Sequence, residues 1–146
     1  MFEKTLIAGW GDMDFNAHMR NTAYLDKSAD VRMMFFAHCG FPMSEFRRLN
    51  IGPVVMKDEI EYFREFHLLD ELVITLCLAG LSNDGSRMKM RNDFSRTGNL
   101  AARVTSTAGW LDIRARKLVA PPSGLLEALR SLGRSEDFVS LPDSSQ

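Results

Sequence analysis

Residues 10–41 read WGDMDFNAHMRNTAYLDKSADVRMMFFAHCGF, and two kinds of pattern meet inside them. From Thr22 onward the spacing is helical: Leu25, Ala29, Met33, Phe36 and Ala37 recur on one stripe, with Asp26, Lys27, Asp30 and Arg32 largely on the other faces. Gly40 stands where a left-handed cap belongs and Pro42 follows, so a helix is expected to stop there. Ahead of it, two aspartates, a histidine and two asparagines are packed into a short run between apolar residues. Such a run is either a capped helix entrance, because Asp, Asn and Thr side chains satisfy free N–H groups, or a place where a carboxylate does chemistry.

Outward from this stretch the order of elements follows. Thr5 to Trp10 is an apolar run that predicts a first strand, and FPMSEFRRLN (41–50) a turn or second short helix. VVMKDEIEYFREF and ELVITLCLAGL are rich in β-branched and aromatic residues and predict strands on either side of HLLD. Ser82-Asn83-Asp84-Gly85 is a turn signal, and beyond it Arg87, Lys89 and Arg91 alternate with Met88, Met90 and Asn92, the period of a strand. Thr97-Gly98-Asn99 turns again into LAARVTSTAGWLDIRARKLV. Pro121-Pro122 ends the strands, Ser123 is placed to cap a last helix over GLLEALRSLG, and residues 136–146 belong to a polar stretch expected to be a flexible tail. One long helix followed by four antiparallel strands makes a layered α+β domain occupying 1–146. Apolar residues left over on the strands suggest pairing with a second copy of the chain.

A chain of 146 residues suits one domain. Apolar residues at 45% and charged ones at 25% argue against a largely disordered chain. The net charge of −1 provides no field for gripping nucleic acid or an anionic membrane, so an anionic ligand needs a local cluster of cations. Cys39 and Cys77 lie in apolar segments, outside any C-x-x-C pair or zinc-type spacing, and are expected to be buried thiols. The opening residues hold no long apolar stretch, which makes a cytoplasmic, reducing setting the default and a membrane span unexpected. No residue spacing points to a metal.

Beside the capping reading, run 10–24 offers the parts of a site that could act on a carbonyl. A carboxylate serves as general base or nucleophile when it is set beside donors that stabilise a developing negative charge. Asp14 lies on the segment feeding the helix, and the backbone N–H groups around Arg20, Asn21 and Thr22 sit near its first turn, where unpaired donors and the helix dipole favour an oxyanion. A substrate carbonyl fits between the two.

The run GDMDFNAHMRNTAYLDKSADVR resembles the entry motif of the 4-hydroxybenzoyl-CoA thioesterase-like branch of the hotdog-fold superfamily: an aspartate pair, a Gly-His-x-Asn-Asn or related turn, a Tyr, and a helix with an acid and an Arg. The order of elements agrees over nearly the whole chain. The resemblance implies a hotdog fold, a long central helix wrapped by a curved antiparallel sheet, assembled as homodimers or homotetramers. It implies hydrolysis of an acyl-CoA thioester, with coenzyme A as part of the substrate and no other cofactor. Matched by position, Asp14 takes the catalytic carboxylate, as base or as nucleophile, and Asn21 the backbone N–H that polarises the carbonyl. His18 joins them at the catalytic centre; Asn16, Tyr24, Phe15, Arg20 and Phe63 are expected at the substrate. The chain departs from the motif at Ala17, where glycine is common and alanine implies a backbone with negative φ. It departs again at Arg20, where an asparagine is usual.

The phosphates of CoA want cations. Arg87, Lys89 and Arg91 present three on one strand face, and Arg114, Arg116 and Lys117 add others, the alternative being a solvated face. Phe15, Met19, Met33, Met34, Phe35, Phe36 and Phe63 are shared between core and acyl pocket. Two other functions fit a related fold: hydration of an enoyl-CoA, which GDMDFNAH resembles faintly without the proline of that motif, and acyl-CoA binding without chemistry.

Overall fold

The structure is a computed structural model that describes residues 1–144. The chain runs β1 (Phe2–Ile7), a single 3₁₀ turn (Trp10–Asp12), α1 (Asn21–His38), α2 (Met43–Leu49), β2 (Ile51–Tyr62), β3 (Glu71–Ser82), β4 (Arg87–Arg96), β5 (Asn99–Asp112), β6 (Lys117–Val119), α3 (Ser123–Ser131) and β7 (Arg134–Leu141). The main sheet has the order β1-β3-β4-β5-β2, every neighbour antiparallel, with β6 folded back on β5. This is an α+β architecture in which α1 packs against the sheet at β1, β3 and β5.

The strand periods explain which face is buried. In β3, Leu72, Ile74, Leu76 and Leu78 are fully buried and alternate with half-buried neighbours; Met88, Met90, Asn92 and Phe94 do the same in β4. Fully burying the apolar ones contributes about 1.5–3 kcal/mol each. At the far end Trp110 of β5 stacks on Phe46 of α2 at 5.8 Å and meets Phe36 of α1 edge-on at 5.5 Å, which fastens both helices to the sheet.

Several expectations shift. The strand expected over Thr5–Trp10 lies earlier, at Phe2–Ile7, and Trp10 belongs to the 3₁₀ turn instead. The buried face of α1 is Ala23, Tyr24, Ser28, Val31, Phe35 and Phe36; Ala29 and Ala37 are exposed, and Leu25 and Met33 only partly covered. Apolar residues are spread around this helix, so spacing alone could not select the inner face. Its end is as expected: Phe41 N–H donates to the Phe36 carbonyl and Gly40 N–H to that of Ala37, with Gly40 at φ 90°. Pro42 and Pro122, not Ser123, are the residues that precede α2 and α3 as N-caps. The run from Leu100 to Val119 is two strands broken at Ile113–Arg116, with Arg116 in the left-handed region. Neither Cys39 nor Cys77 is fully buried; both are half-covered free thiols.

The largest departure is the expected tail. Residues 134–141 form β7, which lies parallel to the second half of β3, Leu78 opposite Arg134 and Gly80 opposite Val139. The outer edge of β3 is thereby divided, β1 covering Leu72–Leu76 and β7 covering Leu78–Ser82. The approach is close enough that a Cβ at Gly80 would stand 3.1 Å from the Val139 carbonyl oxygen. Residues 145 and 146 lie outside the described residues. On the opposite side of the sheet, β2 pairs among the described residues only with β5, and its free edge carries exposed Val55, Met56 and Tyr62.

Candidate active site

Residues 13–19 form a tight hairpin, closed by a bridge between Met13 and Met19 and by the Asp14 N–H donating to the His18 carbonyl at 2.8 Å. Its second arm is tied to the segment after β2: Met19 N–H donates to the Phe66 carbonyl, and His18 faces His67 across a further bridge. Asp14 caps its own turn, Oδ1 accepting the N–H of Asn16 at 2.8 Å and of His18 at 3.1 Å. One carboxylate oxygen serves the turn, and the other has no protein donor among the described residues.

The turn is closed by Ala17 at φ 65°. This corrects the expectation of a negative φ. The hairpin needs a left-handed residue where glycine is common in the resembling family, and alanine is held there at a cost of about 1–2 kcal/mol.

The hairpin is anchored to α1 by charge. Asp12 Oδ2 lies 2.9 Å from Lys27 Nζ and accepts the Gly9 N–H at 2.8 Å. Burial pushes the Asp12 carboxyl up, but the Lys27 ammonium and the Gly9 N–H outweigh it and hold the group below the usual carboxylate range. Arg20, expected at the substrate, is the N-cap of α1. Its guanidinium donates to the Gly11 carbonyl and, at 2.9 Å, to the Thr22 hydroxyl. Its charge therefore staples the loop rather than facing the cavity.

A cavity of about 460 Å³ opens beside this loop, lined by Asp14, His18, Met19, Asn21, Tyr24, Tyr62, Phe63, Arg64 and Glu65. Six expected residues meet here: Asp14, His18, Asn21, Tyr24, Phe63 and the apolar candidate Met19. Asn21 is the first residue of α1, and no acceptor meets its N–H among the described residues. An N–H at that position has no intrahelical partner and carries the positive end of the helix dipole. Tyr24 is buried edge-on against Tyr62 at 5.2 Å, and burial, with Tyr62 and Glu65 nearby, pushes its phenol up to about 12. It is a neutral wall of the cavity with a donor to offer.

Besides Arg20, two expected residues lie outside this cavity. Asn16 is exposed and only its backbone takes part in the turn, and Phe15 is wholly exposed over a neighbouring hollow shared with Trp10, Met13, Asp14 and Leu68. Of the other apolar candidates, Phe35 is core, Met34 is exposed, and Met33 and Phe36 face a second cavity.

Glu65 was not legible as a site residue. Its Oε2 lies 3.0 Å from His18 Nε2, and His67 packs edge-on against the His18 ring at 5.3 Å. The ligand atoms of these three residues fall within 4.8 Å of one another, near enough to share a cation. The guanidinium of Arg96, 3.4 Å from His67 Nδ1 and paired with Asp70 at 3.3 Å, places a fixed positive charge against that use.

In the basic row expected to hold phosphates, two of the three cations are engaged. Arg91 makes a two-pronged pair with Asp137 of β7 at 2.8 and 3.1 Å, Arg87 donates to Ser144, and Lys89 sits beside Gly80 where β7 crosses. Arg114, Arg116 and Lys117 are exposed around the β5–β6 turn, outside the residues that line the cavity. The cation at the cavity is Arg64, which has no carboxylate partner among the described residues.

The family follows from comparison. Residues 8–129 match the model of the thioesterase-like superfamily, and the chain belongs to it, by class a thioester hydrolase. Comparison with curated proteins finds no match. Among solved structures the fold is shared with a Staphylococcus aureus protein in complex with CoA (TM-score 0.82, 19% identity, 98% of this chain and 90% of that one). It is also shared with a 1,4-dihydroxy-2-naphthoyl-CoA thioesterase from Synechocystis (0.79, 15%, 90% and 96%). A third, YbaW, a probable thioesterase from Escherichia coli, aligns at 0.76 with 22% identity over 90% and 98%. No helix among the described residues is long and apolar enough to cross a membrane.

Proposed function

We propose that this chain hydrolyses an acyl-CoA thioester to the free acid and CoA, with Asp14 as base or nucleophile and the Asn21 N–H as oxyanion donor, on a hotdog fold in which α1 is the central helix. The observation that carries the reading is that one cavity is lined by both the carboxylate of Asp14 and the unpaired first N–H of α1. A thioester carbonyl oriented toward Asn21 is polarised by that donor and by the helix dipole. Asp14, anchored through Oδ1 by its own turn, directs its other oxygen at a water or at the carbonyl carbon. With Asp14 as base, the tetrahedral intermediate collapses to the acid as the CoA thiolate departs, a leaving group that needs little protonation; with Asp14 as nucleophile, the same departure leaves an acyl-aspartate anhydride, which water then opens to the free acid and the carboxylate. His18, braced by Glu65, orients the thioester, and Arg64 offers a charge to the phosphates at the rim.

The CoA-bound relative and the relative named as a CoA thioesterase support coenzyme A as the carrier. Self-association belongs to the same proposal. The free edge of β2 presents unpaired strand groups beside exposed Val55, Met56 and Tyr62, and pairing with a second copy would cover it.

The test is a thiol-release screen across aliphatic, aromatic and dicarboxylic acyl-CoAs, with wild type and Asp14→Asn side by side. Release of thiol by wild type and its loss in the variant supports the reading. Undiminished turnover by Asp14→Asn would remove Asp14 from the chemistry.

A further inference from the structure

Glu65, Phe66 and His67 alternate in direction: Phe66 is wholly buried, and the side chains on either side of it turn outward. The bridge between His18 and His67 lays the 13–19 hairpin against this segment, so two imidazoles and a carboxylate from distant parts of the sequence share one surface. His18 Nε2 is 3.0 Å from Glu65 Oε2, and one ligand atom from each of the three residues lies within 4.8 Å of the others. The side chains of His18, Glu65 and His67 are 35%, 64% and 54% exposed, so an ion with its waters reaches all three from solvent.

The ligand set selects the ion. Ca²⁺ and Mg²⁺ need a shell of oxygens, and this cluster supplies one carboxylate. Two imidazoles and a carboxylate suit Zn²⁺ and its transition-metal neighbours, with a fourth position left to water. Ligand atoms around a four-coordinate zinc ion stand about 3.4 Å apart, so the cluster closes on it by side-chain rotations of about an ångström. Arg96, 3.4 Å from His67 Nδ1, opposes any cation held by attraction alone. Its charge is offset by Asp70 at 3.3 Å, and the opposition that remains falls hardest on ions that form no bonds to nitrogen.

We propose that His18, Glu65 and His67 bind a Zn²⁺-class transition-metal ion, and that the bound ion blocks the neighbouring cavity. The binding stands on the cluster alone; the blocking rests on the proposed function. His18 and Glu65 both line the cavity of Asp14. An ion between them takes the His18 ring away from the thioester and fills that wall with its bound water. His67 lies outside the cavity lining, which makes it the ligand through which the two roles separate.

The experiment titrates the full chain, without an affinity tag, with Zn²⁺ by calorimetry and by NMR of the imidazoles, and with Co²⁺ followed by visible absorption. The expected result is one ion per chain, a visible Co²⁺ band, and shifted ring signals for His18 and His67 with His38 unmoved. His67→Gln and Glu65→Ala, both at exposed positions, should each weaken binding by about a hundredfold or more, beyond what loss of an outer partner costs. Zn²⁺ should stop acyl-CoA turnover by wild type, read as loss of thioester absorbance because free thiol itself binds Zn²⁺. His67→Gln should match wild type without the ion and keep turning over in its presence. No saturable Zn²⁺ binding, equal binding by wild type and both variants, or Mg²⁺ bound as tightly as Zn²⁺ overturns the site. Equal inhibition of wild type and His67→Gln overturns the blocking. A chain that turns over no acyl-CoA removes the proposed function and the blocking with it, while the binding readouts still decide the site.

Discussion

Nε2 of His18 lies 3.0 Å from Oε2 of Glu65, and this contact joins the 13–19 hairpin to the chain just beyond β2. Nε2 is the ring nitrogen that meets the carboxylate, which leaves Nδ1 on the other side of the ring. Glu65 is mostly exposed, and exposed pairs contribute up to about 1 kcal/mol. Glu65→Ala should therefore leave the melting temperature almost unmoved. If His18 orients the thioester, kcat falls about tenfold through misplacement alone. Paired melting curves and kinetics separate the two effects, and equal turnover in both proteins would detach His18 from orientation.

Asp14→Asn keeps an oxygen that can accept the N–H groups of Asn16 and His18, so the hairpin should survive while the charge disappears. We expect turnover to drop by about 10²–10⁴-fold, with an unchanged circular dichroism spectrum and undiminished acyl-CoA binding.

Ala17→Gly should stabilise the protein. The φ of 65° costs alanine more than it costs glycine, although glycine gives back part of the gain as unfolded-state entropy. A net gain of about 0.5–1 kcal/mol, or a few degrees of melting temperature, is expected. Ala17→Val, β-branched at the same backbone angle, should move the melting temperature the other way.

Lys27→Met should destabilise the fold by about 2 kcal/mol by leaving a largely covered Asp12 without its cation. Because the folded protein holds Asp12 below its ordinary carboxylate value, its contribution is fully present above that ordinary value. It is lost as pH falls through the lower, folded one. Without Lys27, burial is opposed by fewer favourable contacts, so acid unfolding should begin at a higher pH than in wild type. Circular dichroism followed from neutral pH downward reads the shift directly.

Deleting residues 134–146 should uncover the Leu78–Ser82 edge of β3 and remove the covered parts of Phe138 and Leu141. A loss of about 1–3 kcal/mol is expected, on the scale of exposing two partly buried side chains. The bare edge should also make the protein aggregate on heating. Light scattering during a thermal ramp tests both; a truncated chain as stable and soluble as wild type would show β7 to be dispensable.

What could be read without a structure was local. The Schellman end at Gly40, the turn at Ser82–Gly85 and the alternation of Arg87, Lys89 and Arg91 with Met88 and Met90 depend on neighbours in the chain. Each appears in the fold where its residues predict it. The pairing of Asp14 with the start of α1 was legible for the same reason: seven positions in sequence, joined by one hairpin, bring them to one cavity. The rest depended on partners distant in sequence. Residues 134–141 look like a polar tail because strand β7 gains its place from the edge of β3 and from Asp137 meeting Arg91, not from its own hydrophobicity. That same contact consumes a cation that seemed free for phosphate. Glu65 became a neighbour of His18 only once α1 had been laid on the sheet. Caps, turns and periods are set by the nearest few residues; burial, charge pairing and the filling of space are settled by whatever the folded chain brings alongside.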